Sequence, residues 1–503
     1  MADSLLLGAA GSAMLAYALE FLLTPRPAVA WRRHGGCHLV HCGLCLLAFA
    51  GLTLLVQRPY FALAILGAFL FLVVMVNNAK YHSLREPFIC QDFEYFTDAL
   101  RHPRLYIPFL GWGRALAALL AGAAAIWAGF ALETPLTADI GWSAMLRQGV
   151  ALALAGLLLL VVGSRRCPSA EHEPLADLSR LGLLASLWRY QRDEAATVFV
   201  PDSPLPVVPP ATADSPDLFV VQSESFFDAR RVYSGLRRDL LPEFDRLRRE
   251  SMAWGQLEVP AWGANTVRSE FSVLSGLSAA SLGVHRFNPY RRLAKQGVTT
   301  LASRLRDAGY RTVCVHPYPA TFYERHRVYP LLGFDLFIDI SAFGDAERDG
   351  PYVSDGAVAT MLADLLAEHR AASAQPLFVF VITMENHGPL HLEKVGPGDI
   401  ERFYEQAPPA GCDDLTIYAR HLANADRMFG RLREMLLESQ QPAGLCVYGD
   451  HVPIMPGVYA GMAVPDGTTD YLFWHNRHNG SGKAPTTRVA AGLAPMLLGL
   501  MSS

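Results

Sequence analysis

Apolar residues are distributed in two different ways along this chain. Up to residue 165 they run in long blocks, at 5–23, 38–56, 60–76, 115–132 and 145–162. Each block is close to the ~20 residues a helix needs to cross a bilayer core. They predict five membrane spans, and an odd number puts the two ends of this half on opposite sides. The first block is not read as a cleaved signal: it has no basic start, and further blocks follow. Residues 175–190 carry Leu181, Leu183, Leu184, Leu187 and Trp188 on one side. They predict one amphipathic helix, too short and too charged to span, lying on the membrane surface. A proline-rich stretch, VPDSPLPVVPPATADSPD at 200–217, reads as a stiff spacer.

Beyond it the pattern shortens. The runs LFVVQSES, RTVCVHP, PLFVFVITMENH, AGLCVYGDH and DYLFWHN read as strands. Between them, 241–250, 300–309, 357–369 and 415–437 repeat apolar residues at helical spacing. Alternating strand and helix predicts an α/β sandwich with a largely parallel central sheet, its strands buried on both faces. The expected domains are a five-helix transmembrane bundle (1–165), an amphipathic helix with linker (166–217) and an α/β domain (218–503).

Composition agrees with a membrane part: 51% of residues are apolar and 18% charged. A net charge of −4 without a basic tract argues against nucleic acid as a partner. The eight cysteines form no disulfide framework or zinc spacing. Cys37, His38, His41, Cys42 and Cys45 cluster, but inside an apolar block, where cysteine is a small hydrophobe. Lys and Arg gather in the first and third loops and after the fifth span, a bias that places the C-terminal half in the cytoplasm.

Candidate chemistry sits at strand ends, where open α/β sheets bind ligands. Glu224 ends the first run and Asp450-His451 another, a mixed carboxylate and imidazole set suited to Mn²⁺, Zn²⁺ or Mg²⁺. Adjacent residues can both ligate only where the chain leaves regular structure, and Gly449 is read as permitting that bend. Glu385, Asn386 and His387 end a third run, and His316 a fourth. In VPAWGANTVRSEFSVLSGL, Thr266 follows a strand end and opens a helix. Threonine there can simply cap the helix. Beside a metal set we read it as a nucleophile and metal ligand, with free helix N–H groups to favour a phosphate or sulfate. Asp355 is read as a helix cap, Asp426 as lying within a helix, and Asp413 and Asp414 as a helix start. His475 and His478 lie near the last strand and are not assigned to the site.

These residues resemble the lipoteichoic acid synthase-like phosphoglycerol transferases of the alkaline phosphatase and sulfatase superfamily, over both halves of the chain. VVQSESF, NTVRSEF and YGDH resemble that family's metal and nucleophile segments, which implies Glu224, Thr266, Asp450 and His451 around one divalent ion, Mn²⁺ before Mg²⁺ or Zn²⁺. VHPYPATFYERHRVYPLLGFD resembles a segment that holds phosphoglycerol through His316, Tyr323 and Arg325, with Tyr323 where tryptophan is the closer match. MENHGPL resembles a motif whose histidine, His387, faces the transferred phosphoryl group. NAKYHSLREPFICQDF loosely resembles a membrane-proximal segment. The resemblance implies a catalytic trio of Thr266, His387 and Arg325, phosphatidylglycerol as donor, a glycan or polyglycerol-phosphate acceptor, and a multi-pass enzyme of the inner membrane. It also implies a catalytic domain outside the cytoplasm, against the arginine count; we side with the resemblance. Phosphoethanolamine transfer, phosphodiester hydrolysis and an inactive lipid-sensing relative are the alternatives. Sulfatase chemistry needs a modified cysteine or serine, which Thr266 cannot supply.

Overall fold

The computed structural model describes residues 2–94, 112–196, 198–212, 214–439, 441–478 and 483–501. The chain divides into two compact units, Met1–Thr197 and Val198–Ser503.

In the first unit five helices lie on the five apolar blocks: α1 (Ala2–Glu20), α2 (Gly35–Val56), α3 (Pro59–Leu84), α4 (Trp112–Leu132) and α5 (Trp142–Arg166). Among the described residues, α2, α3 and α5 are long and apolar enough to cross a membrane. Glycines recur every seven residues where α2 meets α5: Gly36 and Gly43 on one, Gly149, Gly156 and Gly163 on the other. A Cβ added at Gly43 would lie 2.7 Å from the Leu160 nitrogen, and one at Gly163 2.7 Å from the Val40 nitrogen. The two backbones therefore touch, the packing expected where lipid removes any hydrophobic drive between helices.

The predicted amphipathic helix is two helices, α6 (Pro174–Leu181) and α7 (Leu183–Ala195). Gly182 separates them at φ +81°, and a side chain there would collide with Arg33. Arg33 pairs with Glu20 at 2.7 Å, and Glu20 accepts the Leu183 N–H at 2.9 Å. Leu178, Leu183 and Leu187 pack against Leu23, Val73 and Phe88 rather than presenting an open apolar face. The break is made by contacts from α1 and its loop, which local periodicity does not register.

The second unit is built on a sheet of order β10-β2-β9-β8-β1-β7-β3-β4. Its strands are β1 (Asp217–Ser223), β2 (Ala253–Glu258), β3 (Arg311–Val315), β4 (Leu336–Ile338), β7 (Leu377–Ile382), β8 (Ala443–Gly449), β9 (Thr469–His475) and β10 (Arg488–Val489). β5 (Arg348–Asp349) and β6 (Tyr352–Val353) form a separate hairpin. β8, β1, β7, β3 and β4 run parallel; only β9 is antiparallel to its neighbours. The largely parallel sheet expected from the sequence is present.

Among the described residues, the helices of seven or more residues in this unit are α8 (Pro242–Glu250), α9 (Thr266–Ser275), α10 (Leu301–Asp307), α11 (Arg325–Leu331), α12 (Asp355–Ala372), α13 (Asp413–Glu438) and α14 (Leu493–Met501). Strand residues alternate between two cores. Phe219, Val221, Val379 and Val447 face a layer containing α8, α12 and α13. Leu218, Val220, Phe380 and Tyr448 face one containing α9, α10, α11 and α14. Both faces being covered explains why these strands read as unbroken apolar runs. Parallel pairing brings the carboxyl ends of β1, β2, β3, β7 and β8 to one edge, so the polar residues that follow them lie along it.

Candidate active site

β1 and β8 pair with Ser223 opposite Gly449. Glu224 and Asp450 therefore emerge side by side, one residue past each strand. Ser225 turns the first loop at φ +53°. Its N–H donates to Asp450 Oδ1 at 2.9 Å, and its hydroxyl donates to Glu224 Oε1 at 3.0 Å, 3.3 Å from His451 Nδ1. His451 Nε2 lies 3.3 Å from Asp450 Oδ2 and 3.5 Å from Glu224 Oε1. Glu224, Asp450 and His451 are buried and each offers a ligand atom, all within 4.8 Å of one another. Gly449 does not make the bend assigned to it: it ends β8, and a Cβ there would collide with the Phe226 carbonyl. The glycine allows the two loops to touch, and the chain turns at Asp450.

This set fits a divalent ion. Asp450 Oδ2 is buried without a hydrogen-bond partner. Burial and then the Asp450 charge push the Glu224 carboxyl up to about 8, from an ordinary 4.5. A bound cation would relieve both. The sign gives a prediction. Without metal, Glu224's contribution to stability is full below about 4.5 and lost as pH rises through about 8. A cation keeps the carboxylate charged at no such loss. Chelator-stripped protein should therefore gain a Tm increment from Mn²⁺ that grows between pH 5 and pH 8; a pH-independent increment would contradict this.

Asn265, at φ +66°, occupies the N-cap of α9, and Thr266 is its first helical residue, half-buried. Thr266 therefore does not occupy the cap position. One turn on, the Ser269 hydroxyl donates to the Asp450 backbone carbonyl at 2.6 Å, which fastens the start of α9 to the metal loop. N–H groups at such a helix start favour a phosphoryl group.

Arg325 is buried and pairs with Glu270 at 2.8 Å. Glu270 also accepts the hydroxyls of Tyr290 and Tyr329. Burial alone would lower the guanidinium; Glu270 more than offsets that and holds it above its ordinary value. Tyr323, at φ +53°, lays its ring 5.2 Å from the Arg325 guanidinium carbon. Arg325 Nη1 lies 3.2 Å from His316 Nε2. Arginine only donates, so His316 Nε2 accepts, and Nδ1–H donates to the Ile382 carbonyl at 3.1 Å. Burial and then Arg325 hold His316 well below its usual range. It is a neutral ring with both nitrogens engaged. His387 is also held low by burial, while the Asp450 charge raises it in part. Its Nδ1 lies 2.7 Å from the Gly388 carbonyl and 3.1 Å from the Tyr352 hydroxyl. With Nδ1 donating to that carbonyl, Nε2 is the acceptor.

Sequence reasoning missed Ser225, Ser269, Glu270 and Tyr352. Spacing held a clue to two of them: Thr266, Ser269 and Glu270 follow an i, i+3, i+4 pattern and so share one face of α9. Asp355 is not the cap of α12; Ser354 is, accepting the Ala357 N–H at 3.1 Å. Asp426 lies within α13 and accepts the Glu243 and Phe244 N–H groups. Asp413 and Asp414 do start α13. His475 and His478 sit together beside the start of β8, at the edge opposite the site, because β9 is antiparallel.

Residues 216–503 match the family model described as Sulfatase. The chain belongs to the sulfatase family. Its sequence is similar to the capsular polysaccharide biosynthesis protein RkpI of Rhizobium meliloti, 29% identical over 447 residues, 85% of this chain and 79% of the relative. A putative cyclic beta-1,2-glucan modification protein of the same organism is 27% identical over 271 residues, 54% of this chain and 40% of that protein. Among solved structures, the Streptococcus pyogenes phosphoglycerol transferase GacH, in complex with sn-glycerol-1-phosphate, aligns with TM-score 0.46 and 22% identity over 58% of this chain and 80% of its own.

Proposed function

We propose that this protein is a membrane-bound phosphotransferase that moves phosphoglycerol from phosphatidylglycerol to a glycan or polymer hydroxyl through a covalent threonine intermediate. The observation that carries the reading is Thr266, seated as the first residue of α9 and tied through Ser269 to the loop of Asp450 and His451.

A divalent ion held by Glu224, Asp450 and His451 would lower the pKa of the threonine hydroxyl and offset phosphoryl charge. Thr266 Oγ1 forms a bond to phosphorus, the bond to the diacylglycerol oxygen breaks, and that oxygen takes up a proton. The resulting phosphoglycerol ester on Thr266 is then attacked by an acceptor hydroxyl, which loses its proton and restores the threonine. His387, neutral with Nε2 as acceptor, is the group suited to move these protons. Arg325, fixed by Glu270 and His316, supplies a preorganised positive charge. Tyr323 offers a ring to the glycerol.

The names of the two Rhizobium relatives support a glycan as acceptor. The membrane half keeps the enzyme beside its lipid donor, and the catalytic half works outside the cytoplasm, where such acceptors lie. The test is transfer from phosphatidylglycerol labelled in its head-group glycerol, run beside ethanolamine-labelled phosphatidylethanolamine, with Mn²⁺ and a capsular oligosaccharide. Glycerol label on the glycan supports the reading. Ethanolamine label there, label released only to water, or no reaction overturns it.

A further inference from the structure

A second buried gathering of charge lies in this unit, and the mechanism above uses none of it. Glu385, two residues before His387, is fully buried. Its Oε2 accepts the Asp355 N–H at 2.6 Å, and its Oε1 lies 3.0 Å from His421 Nδ1. The opposite ring nitrogen, Nε2, lies 3.1 and 3.2 Å from the two Glu393 oxygens. Asp349 lies alongside, bridged to Glu385 by the Asn424 amide. One ligand atom each from Asp349, Glu393 and His421 falls within 4.8 Å of the others.

Two carboxylates thus contact one imidazole, and a third lies beside them. Arg420 is shared among Glu393 at 2.7 Å, Asp399 at 3.4 Å and Asp349 at 3.8 Å, so one guanidinium serves three carboxylates. A separate observation points to a missing positive group. Asp355 is 1% exposed, and its Oδ1 has no hydrogen-bond partner. Its backbone is pinned to Glu385, and after burial the charges that act most on its carboxyl are those of Glu385 and His421. Its carboxyl is thus a further negative group beside this cluster, with one oxygen unpartnered.

We propose that Asp349, Glu393 and His421 form a second divalent-cation site, separate from that of Glu224, Asp450 and His451, with Asp355 and Glu385 as its supporting carboxylates. Oxygen donors with one imidazole suit Mn²⁺ or Zn²⁺. The ion joins β5, the segment after β7 and α13, and so braces the stretch that carries His387. Without it, a proton on His421 balances part of the charge; binding displaces that proton. The inference stands on this geometry and not on the identity of the transferred group.

The experiment uses the full chain in detergent, stripped with chelator, equilibrated with Mn²⁺ and assayed for metal per chain. Two ions are expected in the native protein, and one each in His421→Gln, Glu393→Gln and Asp450→Asn. A native count of one that His421→Gln leaves unchanged and Asp450→Asn abolishes would overturn the proposal, leaving an imidazolium ion-pair network. So would a count of two that survives both His421→Gln and Glu393→Gln. Should His421→Gln not fold, Glu393→Gln is decisive, because the amide keeps the side chain's size and removes only its charge. Anomalous scattering from Mn²⁺-soaked crystals then places the ion, and a peak anywhere but between Asp349, Glu393 and His421 also overturns it.

Discussion

Thr266→Ala is expected to abolish head-group transfer while leaving the fold intact. Loss of a nucleophile in a preorganised site costs on the order of 10³-fold or more, and the nearby Ser225 and Ser269 hydroxyls already donate to Glu224 and to the Asp450 carbonyl. The fold should be indifferent. Asn265 holds the cap position, Ser269 makes the tie to the metal loop, and alanine favours the helical backbone over threonine. Thr266→Ser keeps a hydroxyl and should retain part of the rate. Label transfer and a Tm scan on the same samples give both readouts. An alanine variant that turns over at more than a few per cent of the native rate would remove threonine from the chemistry. One that unfolds would give its hydroxyl a structural role instead.

Glu270→Ala should be the most destabilising single change in the catalytic half. Glu270 is fully buried and faces three donors: the Arg325 guanidinium and the Tyr290 and Tyr329 hydroxyls. Removing one partner of such a pair leaves a guanidinium in a dry interior, which costs about 3–5 kcal/mol. For a domain of this size that is a fall in Tm on the order of 10 °C. Pairing Glu270→Leu with Arg325→Met should recover much of the stability, because well-packed apolar groups often replace a buried ion pair without loss. It should not recover transfer, which needs the Arg325 charge. A Glu270→Ala protein within about 1 kcal/mol of native would mean that water or a shifted tyrosine already satisfies Arg325.

β1, β3, β7, β8, β9 and most helix bounds could be read from periodicity because those strands form unbroken buried runs, whereas β4 and β10 are too short to show a pattern. The metal residues were legible for a related reason. Glu224, Asp450 and His451 end apolar runs, where a polar group stands out. Glu270 was visible among the polar residues at the start of α9 but without a role, since only the arrival of Arg325 from a distant segment gives it a partner. His421 was hidden inside a long helix, whereas Glu385 was visible at a strand end but had no partner to give it a role. The break at Gly182 was invisible because Arg33 and Glu20 create it from more than a hundred residues upstream. In the membrane half, apolar block length predicted helix positions, and the glycine heptads along α2 and α5 were present in the sequence but only become a seam once the two helices are adjacent.

The register between β1 and β8 also sets a timetable. Ser225 and Asp450 are 225 positions apart, yet they meet one step past neighbouring strands. Ribosomal synthesis must deliver nearly the entire polypeptide before that meeting can occur. A cation held by Glu224, Asp450 and His451 would consequently load late in biogenesis, drawn from whichever compartment houses the finished domain.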